Sequence, residues 1–591
     1  MLQFLKYVFA TFIGVMLAAF FCFILLVGGM VGLISALSTD TPAVTSVKPN
    51  SVLHITLEGV VSERLQEDPW SALFDEIKEI SIEDIRTAIR IAKSDPNIKS
   101  IFIDAKEVEM APASAEEIRQ ALVDFKESGK PIVAYAGTYT QNAYYIASVA
   151  DKVIINSQGM LNLKGLAAER AFYKNTLDKV GVEMQIFKVG SYKSAVEPYM
   201  QTSMSDASRE QTTEYLQDIW RFQLSNISKS RSIPVDTLHA FADRMLLFQS
   251  PESYVTSHLV DTLAYEADVL DLLKAQNGLA KKDKLPMINV TDLVALSTDL
   301  TSSSSDEIAI LYAEGEIVSE SSSVSTDAIV ESELIKEIRK LKKNGRVKAV
   351  VLRVNSPGGS AYSSDQIWKE VRDLVNVKPV VVSMGDYAAS GGYYISVPAS
   401  FIVAQPTTIT GSIGIFGMIP NVSGLTDKLG VTFDVVKTNR FADMPTITRP
   451  MSLEEKAIMQ AYVERGYKTF LSRCAYSRHT KLFPDELERI AQGRVWSGIK
   501  ALELGLVDEL GGIQTAINKA SELSNVTDYK VVGYPRKKDF LSRLMESSQT
   551  NTALEQLREN EIVKLFLSSK KNHFAITDFL QARMPEQVVI R

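Results

Sequence analysis

One half of this chain is written over again in the other. Leu57-Glu58-Gly59 returns as Ala313-Glu314-Gly315, Asn97-Ile98-Lys99 as Arg346-Val347-Lys348, and Lys130-Pro131 as Lys378-Pro379. Tyr144-Tyr145-Ile146 returns as Tyr393-Tyr394-Ile395, Asp178-Lys179-Val180-Gly181-Val182 as Asp427-Lys428-Leu429-Gly430-Val431, and Leu259-Val260-Asp261 as Leu506-Val507-Asp508. The spacing is 249 residues from Tyr144 to Tyr393 and again from Asp178 to Asp427. Matches in one order at nearly one spacing indicate an internal duplication, so the two halves share a fold. Within the first half, Ser51 to Gly59 alternates as a strand, 83–95 has helical periodicity, 98–103 reads as a strand, 115–127 as a helix and 131–135 as a strand. Strands alternating with helices predict an α/β fold with a parallel sheet in each half.

The chain has 591 residues, too many for one hydrophobic core. From Tyr7 to Thr39 there is no Asp, Glu, Lys or Arg, a run long enough to span a bilayer. Lys6 precedes it and Asp40 follows, so the positive-inside rule predicts a cytoplasmic N-terminus with the rest across the membrane. The competing reading is a cleaved signal peptide, whose apolar core of about 7–15 residues is much shorter. The expected organisation is then a cytoplasmic end at 1–6, a transmembrane anchor at 7–37, a linker at 38–50, an N-terminal repeat domain at 51–280, a second linker at 281–306, a C-terminal repeat domain at 307–533 and a tail at 534–591. The tail is rich in Lys, Arg, Leu and Phe and fits either amphipathic helices on a membrane surface or a solvated end. A net charge of −7 gives no reason to expect nucleic-acid binding. The two cysteines, Cys22 in the apolar run and Cys474, rule out a disulfide framework and a cysteine metal cluster. No metal or cofactor is expected.

The repeat also shows where the halves part. Aligning on Tyr-Tyr-Ile sets Gln141 opposite Ser390. Lys106 to Met110 stands where the second half has Asn355-Ser356-Pro357-Gly358-Gly359, and Lys193 falls opposite Ala442. One active site assembled from both halves accounts for this pattern, as does random drift in a structural duplication.

Val380-Val381-Val382 reads as a buried strand running into the small residues Ala388-Ala389-Ser390-Gly391-Gly392 and a short helix that Pro398 ends. Such a turn can hold Ser390 exposed, with the helix N-terminus aiming N–H groups at an oxyanion. The plain alternative is a capping serine. A serine nucleophile needs a base, and none of the histidines at 54, 239, 258, 479 and 573 sits in a motif. A lysine can serve if it is neutral, and burial lowers its pKa of about 10.4 by roughly 3–5 units. Lys193 is the candidate by its asymmetry; a solvated loop lysine is the alternative. The N–H groups of the Pro357-Gly358-Gly359 turn can polarise a carbonyl, or form an ordinary β-turn. Ser412, in Thr410-Gly411-Ser412, can either orient the lysine or cap local backbone.

Together, Asn355-Ser-Pro-Gly-Gly359, Ala389-Ser-Gly-Gly392, Thr410-Gly-Ser-Ile-Gly414 and Tyr192-Lys-Ser-Ala-Val-Glu-Pro198 resemble the signal peptide peptidase A (protease IV) family in its long, double-domain form. The resemblance runs from the N-terminal anchor to about residue 530. It implies two tandem crotonase/Clp-protease-like domains behind one transmembrane helix. It implies Ser390 as nucleophile, Lys193 as general base, Ser412 as the serine that holds the lysine, and an oxyanion hole from Gly358 or Gly359 with Gly391. It further implies a homotetramer on the bacterial inner membrane, its catalytic domains on the periplasmic side, degrading signal-peptide remnants and other unfolded apolar peptides. A crotonase-like acyl-CoA enzyme and a non-catalytic membrane scaffold are the alternatives to this serine endopeptidase.

Overall fold

The computed structural model of the chain describes residues 6–7, 11, 14–18, 21, 46–65, 79–297, 304–319, 328–478, 484–536 and 580–584. The expected anchor at 7–37, save a few positions, and most of the 534–591 tail lie outside the described residues. Among the described residues no helix is long and apolar enough to cross a membrane. Met1–Lys48 forms one unit and Pro49–Arg591 a second; the fold below is that of the second.

In the first half, Ser51–Ser62, Ile98–Glu109, Ile132–Tyr139, Lys152–Leu161 and Thr262–Leu263 pair in that order, each parallel to the next. In the second half Lys530–Tyr534, Glu307–Glu314, Val347–Ser356, Val380–Ala389 and Phe401–Ala404 do the same. The crossovers are helices whose apolar residues fall on one stripe. Helix Ile82–Ser94 buries Ile82, Ile85, Ala88, Ile89 and Ala92, and the Ser81 side chain caps it by accepting from the Asp84 N–H. The central strands are buried on both faces, as their unbroken Val and Ile runs require.

Part of the expected 281–306 linker belongs to the first half instead. Met287–Asn289 adds parallel to Val52, Leu53 and His54, and helix Val290–Ser297 follows. Ile288 and Leu293, at 4% and 1% exposure, supply the apolar burial that holds the segment down.

A third sheet draws on both halves. Glu183–Lys188 of the first half pairs antiparallel with Phe416–Asn421 of the second. Between Phe416–Gly417 and Gly358–Ser360 lies Leu580–Arg583, antiparallel to both. These residues, expected within a surface helix or a solvated tail, are therefore strand. Leu580, Ala582 and Met584 are buried, an alternation that suits a strand with a core on one face.

A buried ionic cluster also ties the halves. Arg353, 2% exposed, donates to both Glu63 carboxylate oxygens at 2.8 and 3.0 Å and to Ser383 Oγ at 2.9 Å. Asp386 accepts from the Ser114 N–H at 2.9 Å and its Oγ at 2.6 Å. Strand Val380–Ala389 is thus held to the first half along the stretch that leads to Ser390.

Candidate active site

Ser390 sits where strand Val380–Ala389 turns into helix Gly391–Ser396, at φ 55° and ψ −111°. L-residues rarely take such a backbone, and it persists only where surroundings over-determine it. Here the Ser390 N–H donates to Gly411 O and its carbonyl accepts from Tyr394 N, both at 2.8 Å. Ala388, Ala389 and Ser390 are fully buried. Although Ser390 occupies the N-cap, its side chain makes no cap hydrogen bond, which leaves Oγ for another partner.

That partner comes from the other half. Lys193 follows strand Glu183–Lys188 and heads the turn Ser194–Val196. Its backbone is fixed by neighbours: Tyr192 N donates to Gln492 O at 3.1 Å, and Gln211 Nε2 donates to Tyr192 O at 3.1 Å and Ser194 Oγ at 3.0 Å. Lys193 Nζ lies 2.8 Å from Ser390 Oγ, 3.1 Å from Ser412 Oγ and 3.3 Å from Ser412 O. Ser412 Oγ also donates to Gly493 O at 3.3 Å, so it meets both the lysine and local backbone. Glu197, the acid nearest in sequence, is turned elsewhere and accepts from Ser205 Oγ at 2.5 Å. Lys193 is fully buried, and desolvation alone pulls its pKa well below the ordinary lysine value, with no carboxylate among the described residues to oppose it. An amine poised this way can stay neutral and take a hydroxyl proton.

The three candidate glycines meet at one place. A Cβ on Gly358, at φ 102°, would stand 2.7 Å from Gly391 N. The Gly358 N–H already donates to Ser356 Oγ at 3.2 Å. Gly359 pairs with Ala582 in the third sheet, and Gly391 opens a helix whose first N–H groups have no partner within it.

Sequence reasoning missed Gln492-Gly493-Arg494. Gly493, at φ 80°, packs so closely that a Cβ there would stand 2.7 Å from Lys193 Cβ. Arg494 donates to Tyr192 Oη at 3.0 Å and to Glu214 at 2.6 Å, holding the lysine loop. A signal existed: the 247-residue offset from Leu259 to Leu506 sets Leu246 opposite Gly493, a glycine found only in the half that receives the lysine.

The model of peptidase family S49 matches residues 124–280 and 372–527, once in each repeat. The chain is 36% identical over 546 residues to a protein named Protease 4 from Salmonella typhi, covering 89% of this chain and 86% of that protein. It is 29% identical over 548 residues to a protein named Serine protease SPPA, chloroplastic, from Arabidopsis thaliana, covering 91% and 78%. A ClpP1 mutant from Listeria monocytogenes matches 38% of this chain and 99% of its own at 15% identity, with a TM-score of 0.25. With its family matched in both repeats and a relative matched nearly end to end, the chain belongs to peptidase family S49 and is a serine protease.

Proposed function

We propose a membrane-anchored endopeptidase in which Ser390 is the nucleophile and Lys193 the general base, cutting unfolded apolar peptides such as cleaved signal peptides. The observation that carries this reading is the 2.8 Å approach of Lys193 Nζ to Ser390 Oγ, from opposite halves, in a fully buried site. Lys193 takes the Ser390 proton as Oγ attacks the peptide carbonyl. The N–H groups of Gly359 and Gly391 stabilise the oxyanion. Lys193 then protonates the leaving amine, and water clears the acyl-enzyme. Ser412 restrains Nζ so that it faces Oγ. Anchoring by the apolar 7–37 run would bring this site to the bilayer, where signal-peptide remnants reside.

The homotetramer belongs to the same proposal, and the repeat supports self-association. Shifting the paired segments 183–188 and 416–421 by the 249-residue spacing gives 432–437 and 167–172. In the former, Phe433, Val435 and Val436 are 52%, 51% and 98% exposed. The same pairing between copies, 432–437 of one on 167–172 of the next, is heterologous and closes into a ring when its rotation allows.

The test is a fluorophosphonate probe and a fluorogenic apolar peptide, applied to membranes carrying the full chain. Ser390 should be labelled and the peptide cut. Acyl-CoA turnover without peptide cleavage would favour the crotonase-like alternative, and the absence of both would favour the scaffold.

A further inference from the structure

Helix Asp206–Arg231 belongs to the first half, and one of its faces docks on a short segment of the second. Residues three and four apart on a helix share a face. Gln211, Glu214 and Asp218 follow that spacing, and all three meet 494–497. Gln211 Oε1 accepts from Val495 N at 3.1 Å, Glu214 from Arg494 at 2.6 Å and Asp218 from Ser497 Oγ at 2.6 Å. Gln211 has a further set of partners. Its Nε2 donates to Tyr192 O at 3.1 Å and to Ser194 Oγ at 3.0 Å, one on each side of Lys193. The Tyr192 carbonyl can only accept and the Val495 N–H can only donate, so these partners fix which end of the amide is which. Both amide hydrogens are used, and Gln211 is 2% exposed.

These bonds close a circuit around the dyad. Val495 pairs antiparallel with Gly411, whose carbonyl accepts from Ser390 N at 2.8 Å. Just before Val495, Arg494 O accepts from Ser412 N at 2.7 Å and Gly493 O from Ser412 Oγ at 3.3 Å. From Ser390 the path runs through Gly411, Val495 and Gln211 to the two residues flanking Lys193, and Nζ returns to Ser390 Oγ. The charge of the Gln211 link matters as well as its reach. Its acidic neighbours on the helix, Glu210 and Glu214, pair with Arg494, which also donates to Tyr192 Oη. Tyr192 Oη in turn donates to Glu210, and Arg170, Tyr215 and Tyr387 line a small cavity beside Gln211. The inward position itself carries a neutral amide. A carboxylate there would favour protonated Lys193, which cannot act as a base.

We infer that Gln211 is a positioning residue for the general base: its amide clamps the backbone on both sides of Lys193 to the strand beside Ser390, and does so without a negative charge. The inference rests on the proposed roles of Ser390 and Lys193. Gln211 touches neither reacting atom. It acts through Tyr192 and Ser194, which set where the lysine side chain starts, and through Val495, which lies beside Gly411. A small displacement of a reacting group is costly to catalysis, so a clamp this close to the base is felt in the chemical step.

The experiment measures kcat and KM for a fluorogenic apolar peptide across pH, using membranes that carry the full chain, Gln211→Met, Gln211→Glu or Asp218→Asn. Gln211→Met keeps the bulk and removes all three bonds; kcat should fall by about 10²-fold with KM nearly unchanged. Gln211→Glu is nearly isosteric, so it tests the charge where the fold is least disturbed. Its carboxylate favours charged Lys193, and the ionisation in kcat/KM should move up by about one pH unit or more, so that part of the lost activity returns at high pH. Asp218→Asn changes the same helix face away from the lysine loop and should keep both kcat and the profile. An unmoved pH profile in Gln211→Glu would overturn the inference and leave the proposed function standing, as would a loss of kcat in Gln211→Met no larger than in Asp218→Asn. An unmodified chain that cuts no peptide and takes no fluorophosphonate would overturn the proposed function and this inference with it.

Discussion

The same turn from strand to helix occurs in both halves, and the two copies do opposite things. In the first half, strand Ile132–Tyr139 reaches Thr140 at φ −66° and ψ 161°, an ordinary N-cap, and the Thr140 side chain accepts from Ala143 N to close helix Gln141–Ala147. In the second, the cap is Ser390 at φ 55°, its side chain makes no cap bond, and its Oγ faces Lys193. The first turn uses its hydroxyl to stabilise a helix; the second gives up that bond and holds a strained backbone to present a hydroxyl. The same tyrosine follows each: Tyr144 Oη donates to Leu259 O and Tyr393 Oη to Leu506 O, at 2.8 and 2.9 Å. The tyrosine contact is kept in both copies, and a serine hydroxyl facing a lysine is found in only one.

The largest way to break this contrast is through the dyad. Ser390→Ala and Lys193→Ala should each lower peptide cleavage by about 10⁴-fold or more, with the double variant no worse than either, since the pair acts as one unit. Lys193→Arg should be as inactive, because guanidinium keeps its proton. In the unmodified enzyme, kcat/KM should rise with pH along one ionisation below the ordinary lysine value of 10.5, since only neutral Lys193 accepts a proton and burial favours that form. A rise centred near the ordinary value would contradict a desolvated base.

Next comes the join between the halves. Arg353→Met leaves Glu63 buried without its partner and should destabilise the fold by about 3–5 kcal/mol, read from denaturant unfolding. A loss below about 1 kcal/mol would show that the halves are held by apolar packing instead.

A smaller effect has the opposite sign. Lys193→Met should abolish activity yet raise stability at neutral pH by about 1–3 kcal/mol, because it removes an amine from a dry site. The pKa of Lys193 is lower folded than unfolded, so the unfolded chain binds the extra proton between the two values. Native stability therefore rises with pH across that window, and the advantage of Lys193→Met should shrink toward pH 10.5.

The smallest test acts on the comparison itself. Thr140→Ala should cost about 1 kcal/mol, the usual value of a lost N-cap, with catalysis unchanged. Ser390→Ala should cost little stability, since no cap bond is lost. Equal losses of stability at the two turns would mean that Ser390 is an ordinary cap.

Much of this is legible in the sequence. The repeat carries the α/β pattern twice; the helices expected at 83–95 and 115–127 lie at Ile82–Ser94 and Pro112–Lys126, and the strand expected at 98–103 begins at Ile98 but runs on to Glu109. Ser390 is marked by the strand-to-helix turn that holds it, and Lys193 by the repeat, since a duplicated chain is its own control: a polar residue present in one copy and absent from the other needs a reason. Periodicity and comparison of the two copies do not reach the rest. Gly493 and Arg494 lie in a turn whose local pattern resembles any loop, and 287–297 looked like a linker because three residues of strand and eight of helix carry too little periodicity to register.

By itself, the sequence determined the two-fold α/β architecture, the asymmetry between its copies and the residue types a serine protease needs. Those properties follow from local periodicity, from turn chemistry and from comparing one half with the other, all of which survive in a linear string. Only the tertiary structure decided that Lys193 Nζ comes within 2.8 Å of Ser390 Oγ across 197 residues of chain, and that burial strips the lysine of water. It alone set strand Leu580–Arg583 between Gly358–Ser360 and Phe416–Gly417. Distance, desolvation and strand order are properties of segments remote in the chain, and only the packing of the whole fold sets them.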